Sequence, residues 1–173
     1  MEDAALRADC ARCAALCCVA FAFDRRSGAF PIDKPNGIPC PNLARDNSCR
    51  IYEEREDEGF LGCGSYECYG AGQRVTQEVF GGRSWRDESA ILPDMIRAFV
   101  VMVRVQELLV LLNEAETMPL DAGERAMLQE LQDALSPADG WSTETLAGFE
   151  RSGLENRTRS FLTSLRRHFD MAG

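Results

Sequence analysis

The sequence predicts a mainly α-helical protein in which a cysteine-rich, loop-rich metal-binding module is followed by a three- to four-helix antiparallel bundle. Three observations lead there. All eight cysteines lie before Trp85. Most of the glycines and four of the seven prolines lie there too, so this half is built of turns. After Trp85 the chain changes to long apolar patterns at helical spacing with hardly any Gly or Pro inside them. The division gives residues 1–84 as the cysteine module and 85–173 as the helical bundle. A chain of 173 residues can bury one sizeable core without disulfides, so stability alone does not require the cysteines.

Taken in order, residues 4–22 are expected to form a helix. On it Cys10, Cys13 and Cys17 share one stripe, with Cys18 at its edge. The stretch "DRRSGAFPIDKPNGIPCPNL" is rich in turn formers, and Pro35, Asn36 and Gly37 mark a tight reversal. "CRIYEEREDEGF" fits a short strand or a helix equally well. "GCGSYECYGAGQ" reads as a glycine-rich loop, and "RVTQEVF" as a short helix that stops at Gly81 and Gly82.

The second half has clearer punctuation. A helix starts near Pro93 and Asp94 and ends before Pro119. Its residues 95–112, "MIRAFVVMVRVQELLVLL", are interrupted by Arg97, Arg104, Gln106 and Glu107, which leaves them short of the roughly 20 apolar residues of a membrane span. They suit a central helix buried on most sides, or buried partly against a second subunit. A second helix runs from Asp121 to Leu135 with Met127, Leu128, Leu131 and Leu135 on one side. Ser142 caps a short third helix. The last extends from Gly153 to Phe169 with Leu154, Phe161, Leu162, Leu165 and Phe169 facing inward. Short connections between such helices make antiparallel neighbours.

The opening "MEDAALRADC" lacks the basic and then apolar order of a secretory signal, so the expected location is the cytoplasm. Thiols stay reduced there, and clustered cysteines serve as metal ligands or redox centres more often than as disulfides. The net charge is -9, from 28 acidic against 19 basic residues, which repels a phosphate backbone. The densest basic spot, "SLRRHF", suits the end of a helix. Neither a nucleic acid nor a membrane is expected as a partner. A homodimer or a protein partner is expected through the 95–112 helix.

The cysteines run Cys10-x2-Cys13-x3-Cys17-Cys18, then Cys40, Cys49 and Cys63-x4-Cys68, and His168 is the single histidine. Such a set points to all-sulfur ligation. Thiolates select Zn(II), Cu(I) or iron–sulfur clusters over magnesium or calcium. Four hold one tetrahedral zinc or one cubane cluster, and eight suffice for two sites. Core thiols without a ligand role explain neither the adjacency nor the short spacings. Disulfides are disfavoured because adjacent cysteines pair poorly with each other. A thiol redox pair at Cys10 and Cys13 lacks the thioredoxin-like order of strand and helix. Zinc is slightly favoured, since it suits a loop-rich unit without its own core. An iron–sulfur cluster is the alternative, supported by the close spacing and by Pro41 after Cys40.

"CARCAALCC", followed by "CPNL", "CRIYEER" and "GCGSYEC", resembles the bacterial YkgJ-like cysteine-cluster family, a zinc- or iron-chelating domain. The resemblance covers residues 7–84. More narrowly, "GIPCPNL", "YECYGAGQRVTQEVFGGRSWR" and the helical tail are similar to the amino-terminal region of some actinobacterial pentapeptide-repeat proteins, although no such repeat follows here. The resemblance implies metal ligation by Cys10, Cys13, Cys17, Cys18, Cys40, Cys49 and Cys63, with Cys68 shared by the narrower relatives. Where the wider family tends to have Arg-Pro after its Tyr-Glu, this chain has Arg55-Glu56.

Other stretches carry less chemistry. "GAGQRV" lacks the third glycine of a dinucleotide loop, and its expected task is to bring backbone close to Cys68. "YEEREDE" reads as a solvated charge run and His168 as a surface or interface residue. No catalytic triad or carboxylate pair stands out. The sequence therefore reads as a cytosolic, cysteine-ligated metal-binding protein whose metal is structural or redox-active, more a binding protein than an enzyme. The rival readings are an iron–sulfur or thiol-dependent oxidoreductase or modifying enzyme, and a metal carrier or sensor.

Overall fold

Residues 4–22 do not form the single helix that their spacing predicts. The computed structural model of the chain describes residues 6–170, the side chains of residues 169 and 170 excepted. A single 3-10 turn, Cys10–Arg12, is capped by the Asp9 side chain. The helix α1 (Leu16–Ala20) begins only after Ala15, whose φ of 55° lies in the left-handed region. That conformation is costly for an L-residue with a Cβ. Tertiary hydrogen bonds to Ala14 offset the cost: its N–H donates to Thr76 Oγ1 over 3.0 Å, and its carbonyl accepts from the Trp85 indole over 2.7 Å.

The reversal at 35–37 is present. Ile38 N–H donates to the Pro35 carbonyl, and Gly37 supplies the positive φ, 77°, that the turn needs. "CRIYEEREDEGF" is neither strand nor helix but a succession of turns after a single antiparallel bridge between Leu43 and Cys49. The loop expected around Cys63 contains a short helix, α2 (Leu61–Ser65), seated on the Phe30 ring at Gly62, where a Cβ would come within 2.4 Å of Phe30. Helix α3 (Ala71–Arg74) runs on through a π-helical turn, Val75–Val79, and the chain turns away at Gly81 and Gly82.

The second half follows its sequence signals closely. Helix α4 (Leu92–Ala115) opens with Pro93 in its first turn. A full capping box at Asp121 and Glu124 starts α5 (Ala122–Leu135), and a second at Ser142 and Thr145 starts α6 (Thr143–Ser152). Gly153, at φ 72°, joins α6 to α7 (Leu154–Ser164), and the helix expected to continue to Phe169 is instead interrupted by a turn at 165–166 before α8 (Arg167–Asp170). Of the residues expected to face inward, Leu128, Leu131, Leu135, Phe161 and Leu165 are buried, and Leu154 and Leu162 are half-buried. Met127 is exposed, one step too far round α5 to reach the core. Phe169, expected to face inward, lies outside the described side chains.

Helix α4 explains why its sequence is apolar on nearly every side. It packs on α1 and α3 from the cysteine half and on α5, α6 and α7 from the other. Leu16, Val19 and Val75 thus share one core with Met95, Phe99, Met102, Leu108 and Leu112, each worth roughly 1.5–3 kcal/mol when fully withdrawn from water. Val100 and Leu111 are its large apolar residues left exposed. Arg104 fixes the packing on the far side through ion pairs with Glu150 and Glu155. No described helix is long and apolar enough to cross a membrane.

Candidate functional site

The break at Ala15 sets up the site. Cys17 and Cys18 follow it on the first turn of α1, where consecutive side chains point about 100° apart around the axis. Their sulfurs stay 4.0 Å from one another, yet their other partners differ. Cys17 feels the charges of Cys13 and Cys68, and Cys13 in turn feels Cys68 and Cys10. Cys18 is the first thiol felt by both Cys40 and Cys63, and each of these also feels Cys49. These mutual charges link Cys10, Cys13, Cys17 and Cys68 as one set and Cys18, Cys40, Cys49 and Cys63 as another, and the two sets meet at Cys18, which stands 4.0 Å from Cys17 and also acts on Cys10. None of the eight is in a disulfide.

Each set is assembled by backbone that the sequence alone did not reveal. In the first, residues 72–77 clamp the segment from Arg7 to Ala14. Gln73 Oε1 accepts from the Asp9 N–H over 2.9 Å, and Gln73 Nε2 donates to the Arg7 carbonyl over 2.7 Å. Gln77 Nε2 donates to the Arg12 carbonyl over 2.8 Å, and Thr76 holds Ala14. Gly72 is required here, because a Cβ at that position would stand 2.5 Å from Cys13 Sγ. The glycine-rich stretch thus makes room for Cys13, where the sequence suggested Cys68. Tyr69 and Gly70, both at positive φ, turn the chain between Cys68 and α3, and the buried Gln106 of α4 pins that turn by donating to the Tyr69 carbonyl over 2.8 Å.

In the second set, the Cys40 N–H donates to the Cys18 carbonyl over 3.0 Å, and the Leu43–Cys49 bridge brings Cys49 back beside Cys40. Arg86 locks that small loop by donating to Asn47 Oδ1 and to the Ala44 carbonyl. Lys34, which reads as an ordinary turn residue, is 4% exposed. Its ammonium donates to the carbonyls of Phe21, Pro35 and Ile38 and lies over the Phe23 ring. Burial lowers its pKa, against the opposing pull of Cys40, Cys18, Cys63 and Cys17.

The thiols titrate accordingly. Burial pushes Cys13 and Cys63 up to about 11 and raises Cys10 and Cys40, with mutual repulsion among neighbouring sulfurs adding to it. Cys17 lies well above its ordinary value, first because of its hydrogen bond with Cys18 and then because it is buried. Cys18 is lowered by its hydrogen bond with Cys17 and, against burial, by the cations Lys34 and Arg55. Most of these groups are thus held as neutral thiols, and a thiophilic ion would have to displace protons to bind.

Two buried donors without a partner lie beside these thiols. Tyr66 Oη, near Cys68 and Cys17, and Arg55 Nε, near Cys49 and Cys63, make no hydrogen bond. Each set thus has an orphan donor beside it, the kind of group that caps a thiolate sulfur. Among the described residues no three Cys, His, Asp or Glu side chains are drawn together closely enough to hold a metal ion as they stand, so ligation requires a set of four to close inward. His168 lies with α8, half-buried, and its Nε2 is 2.9 and 3.1 Å from the two Glu124 carboxylate oxygens.

Compared with known proteins, the chain is 41% identical over 110 residues to "Uncharacterized protein YybG" of Bacillus subtilis (strain 168), an alignment that takes in 64% of this chain and 39% of that relative. The match spans well under half of the relative's length. No family model matches the chain. No solved structure matches it.

Proposed function

We propose that the protein is a thiolate metal-binding protein with two four-cysteine sites, one formed by Cys10, Cys13, Cys17 and Cys68 and the other by Cys18, Cys40, Cys49 and Cys63. One observation supports the reading: all eight cysteines come to one neighbourhood, where Cys17 and Cys18 lie 4.0 Å apart and each of the others interacts with at least one more thiol. The donor chemistry fits a thiophilic ion, since four thiolates complete a tetrahedral zinc site or hold one cubane cluster. Tyr66 Oη and Arg55 Nε fit the same reading, because an ionised sulfur is the stronger acceptor that each lacks. Bound metal would cross-link a half of the chain that has little regular structure of its own, and zinc is the favoured ion. The resemblance to YkgJ-like zinc- or iron-chelating domains points the same way.

The residues of this chain have plain tasks on that reading. Gly72 and Thr76 hold Cys13 and Ala14 in place, Gln106 fixes the turn after Cys68, and Lys34 and Arg55 offset negative charge at the second site. The test is metal analysis and an absorption spectrum on protein purified without oxygen. Two zinc ions per chain in a colourless protein support the zinc form of the reading. Iron with acid-labile sulfide and broad visible absorption supports the iron–sulfur form. Absence of any stoichiometric metal, with eight titratable thiols, overturns both. That result would favour a thiol-dependent oxidoreductase, for which Cys18, acidified by Cys17 and Lys34, is the nucleophile to test.

A further inference from the structure

We propose that the exposed face of α4 is a self-association surface, on which a second copy of this chain seats its own α4 antiparallel to the first. The inference does not rest on metal at the cysteines. Helix α4 is covered where it packs on α1, α3, α5, α6 and α7. Between residues 97 and 114 its exposed positions are Arg97, Val100, Glu107, Leu111 and Glu114, and the half-buried Arg104 completes their stripe. These six recur at alternate steps of three and four residues. That spacing keeps them on one line along a helix, and it is the spacing of a seam between two helices.

The stripe is complementary to itself when reversed. About the midpoint between Val105 and Gln106, Arg97 mirrors Glu114, Val100 mirrors Leu111 and Arg104 mirrors Glu107. A second copy laid antiparallel over that midpoint therefore sets Arg97 against the partner's Glu114, Val100 against the partner's Leu111 and Arg104 against the partner's Glu107. Twofold symmetry repeats each contact on the other side. Turned parallel, the same stripe would set every arginine and glutamate against its own like, which is unfavourable. A partner of unrelated sequence has no reason to match a pattern with this symmetry, whereas a second copy matches it at every level.

Within one chain the stripe leaves its own chemistry unmet. Val100 and Leu111 are each 42% exposed. Among the described residues neither Glu107 nor Glu114 is in an ion pair. Glu114 also stands in the last turn of α4, where no basic residue offsets the negative end of the helix dipole. Arg97 reaches only Asp94, one turn back, and is otherwise open to water. Arg104 is already shared by Glu150 and Glu155, so the outer pair of Arg97 with the partner's Glu114 sets the register. The apolar contacts are few, and a net charge of -9 repels two copies at long range, which makes the dimer reversible and concentration-dependent.

The experiment is sedimentation equilibrium of the full chain over a wide range of concentration, kept reduced so that no disulfide joins two copies. Expected is a mass that rises from one chain toward two. Arg97→Glu and Glu114→Arg should each weaken association about tenfold, since each turns both symmetry-related attractive pairs into repulsive ones. The double variant should recover the native dissociation constant, because the pairs return with their signs exchanged. Both positions are exposed, so the melting temperatures of all three variants should stay close to that of the native chain. A chain that keeps the mass of one copy throughout overturns the inference and leaves the stripe to a partner of different sequence. A dimer that the single variants leave untouched, or that the double variant fails to restore, overturns the antiparallel pairing. None of these outcomes depends on metal content, so the reading of the cysteines is tested separately.

Discussion

The indole N–H of Trp85 donates to the carbonyl of Ala14 over 2.7 Å, across 71 positions of the chain. With Thr76 holding the Ala14 N–H, both backbone groups of that residue are committed to later parts of the sequence, and the helix expected over 4–22 is interrupted just before the paired cysteines. Trp85→Phe keeps most of the buried ring but leaves that carbonyl unpaired, which costs about 1–3 kcal/mol. Chemical denaturation of the metal-free protein should show the loss, with an unchanged slope.

Two glycine substitutions should move stability in opposite directions. Gly72→Ala gains helix propensity but sets a Cβ against Cys13 Sγ, and overpacking of about 1–3 kcal/mol outweighs the gain. Gly148→Ala meets nothing within 4 Å on α6 and should stabilise by up to about 1 kcal/mol. Thermal melts of the two variants check the pair, and metal content should fall in the first alone.

Cys17→Ser and Cys18→Ser, one residue apart, should each cost one site and spare the other. Native mass spectrometry should find one zinc in place of two in both, with Cys40, Cys49 and Cys63 still protected from alkylation in Cys17→Ser. Loss of both ions in either variant would show that the sites do not fill independently.

Glu124 sets a pH dependence away from the cysteines. The Asp121 N–H, then His168, and also Arg167 hold its carboxyl below the ordinary range. A depressed folded pKa contributes stability that is complete above the unfolded value of about 4.3 and is lost as pH falls through the folded value. Glu124→Gln should therefore be less stable than the native chain at neutral pH, and the difference should close by about pH 3. Melting temperatures across that range check the sign.

The bundle was legible because its punctuation is local. Pro93, Asp121, Ser142 and Gly153 each act within one turn of themselves, and α4 to α7 begin about where those residues place them. The first half was not, because its backbone answers to distant partners. Gln73, Gln77, Thr76 and Trp85 make hydrogen bonds to residues more than 60 positions away, and no periodicity in 4–22 registers them. Helical spacing put Cys10, Cys13 and Cys17 on one stripe, and the helix that would carry that stripe is broken at Ala15. That Cys68 comes near Cys13 and Cys17, and Cys18 near Cys40 and Cys63, needed three dimensions. Lys34 had no signal, since a lysine before Pro-Asn-Gly looks like any other turn residue.

The position of α4 has a bearing on how the molecule is made. Leu16, Val19 and Val75 are covered by a helix that ends at Ala115, so a nascent chain presents all eight cysteines well before the helix that completes this core is synthesised. The core shared by the two halves closes only when α4 docks, so the cysteine half completes its packing only after translation has passed residue 115.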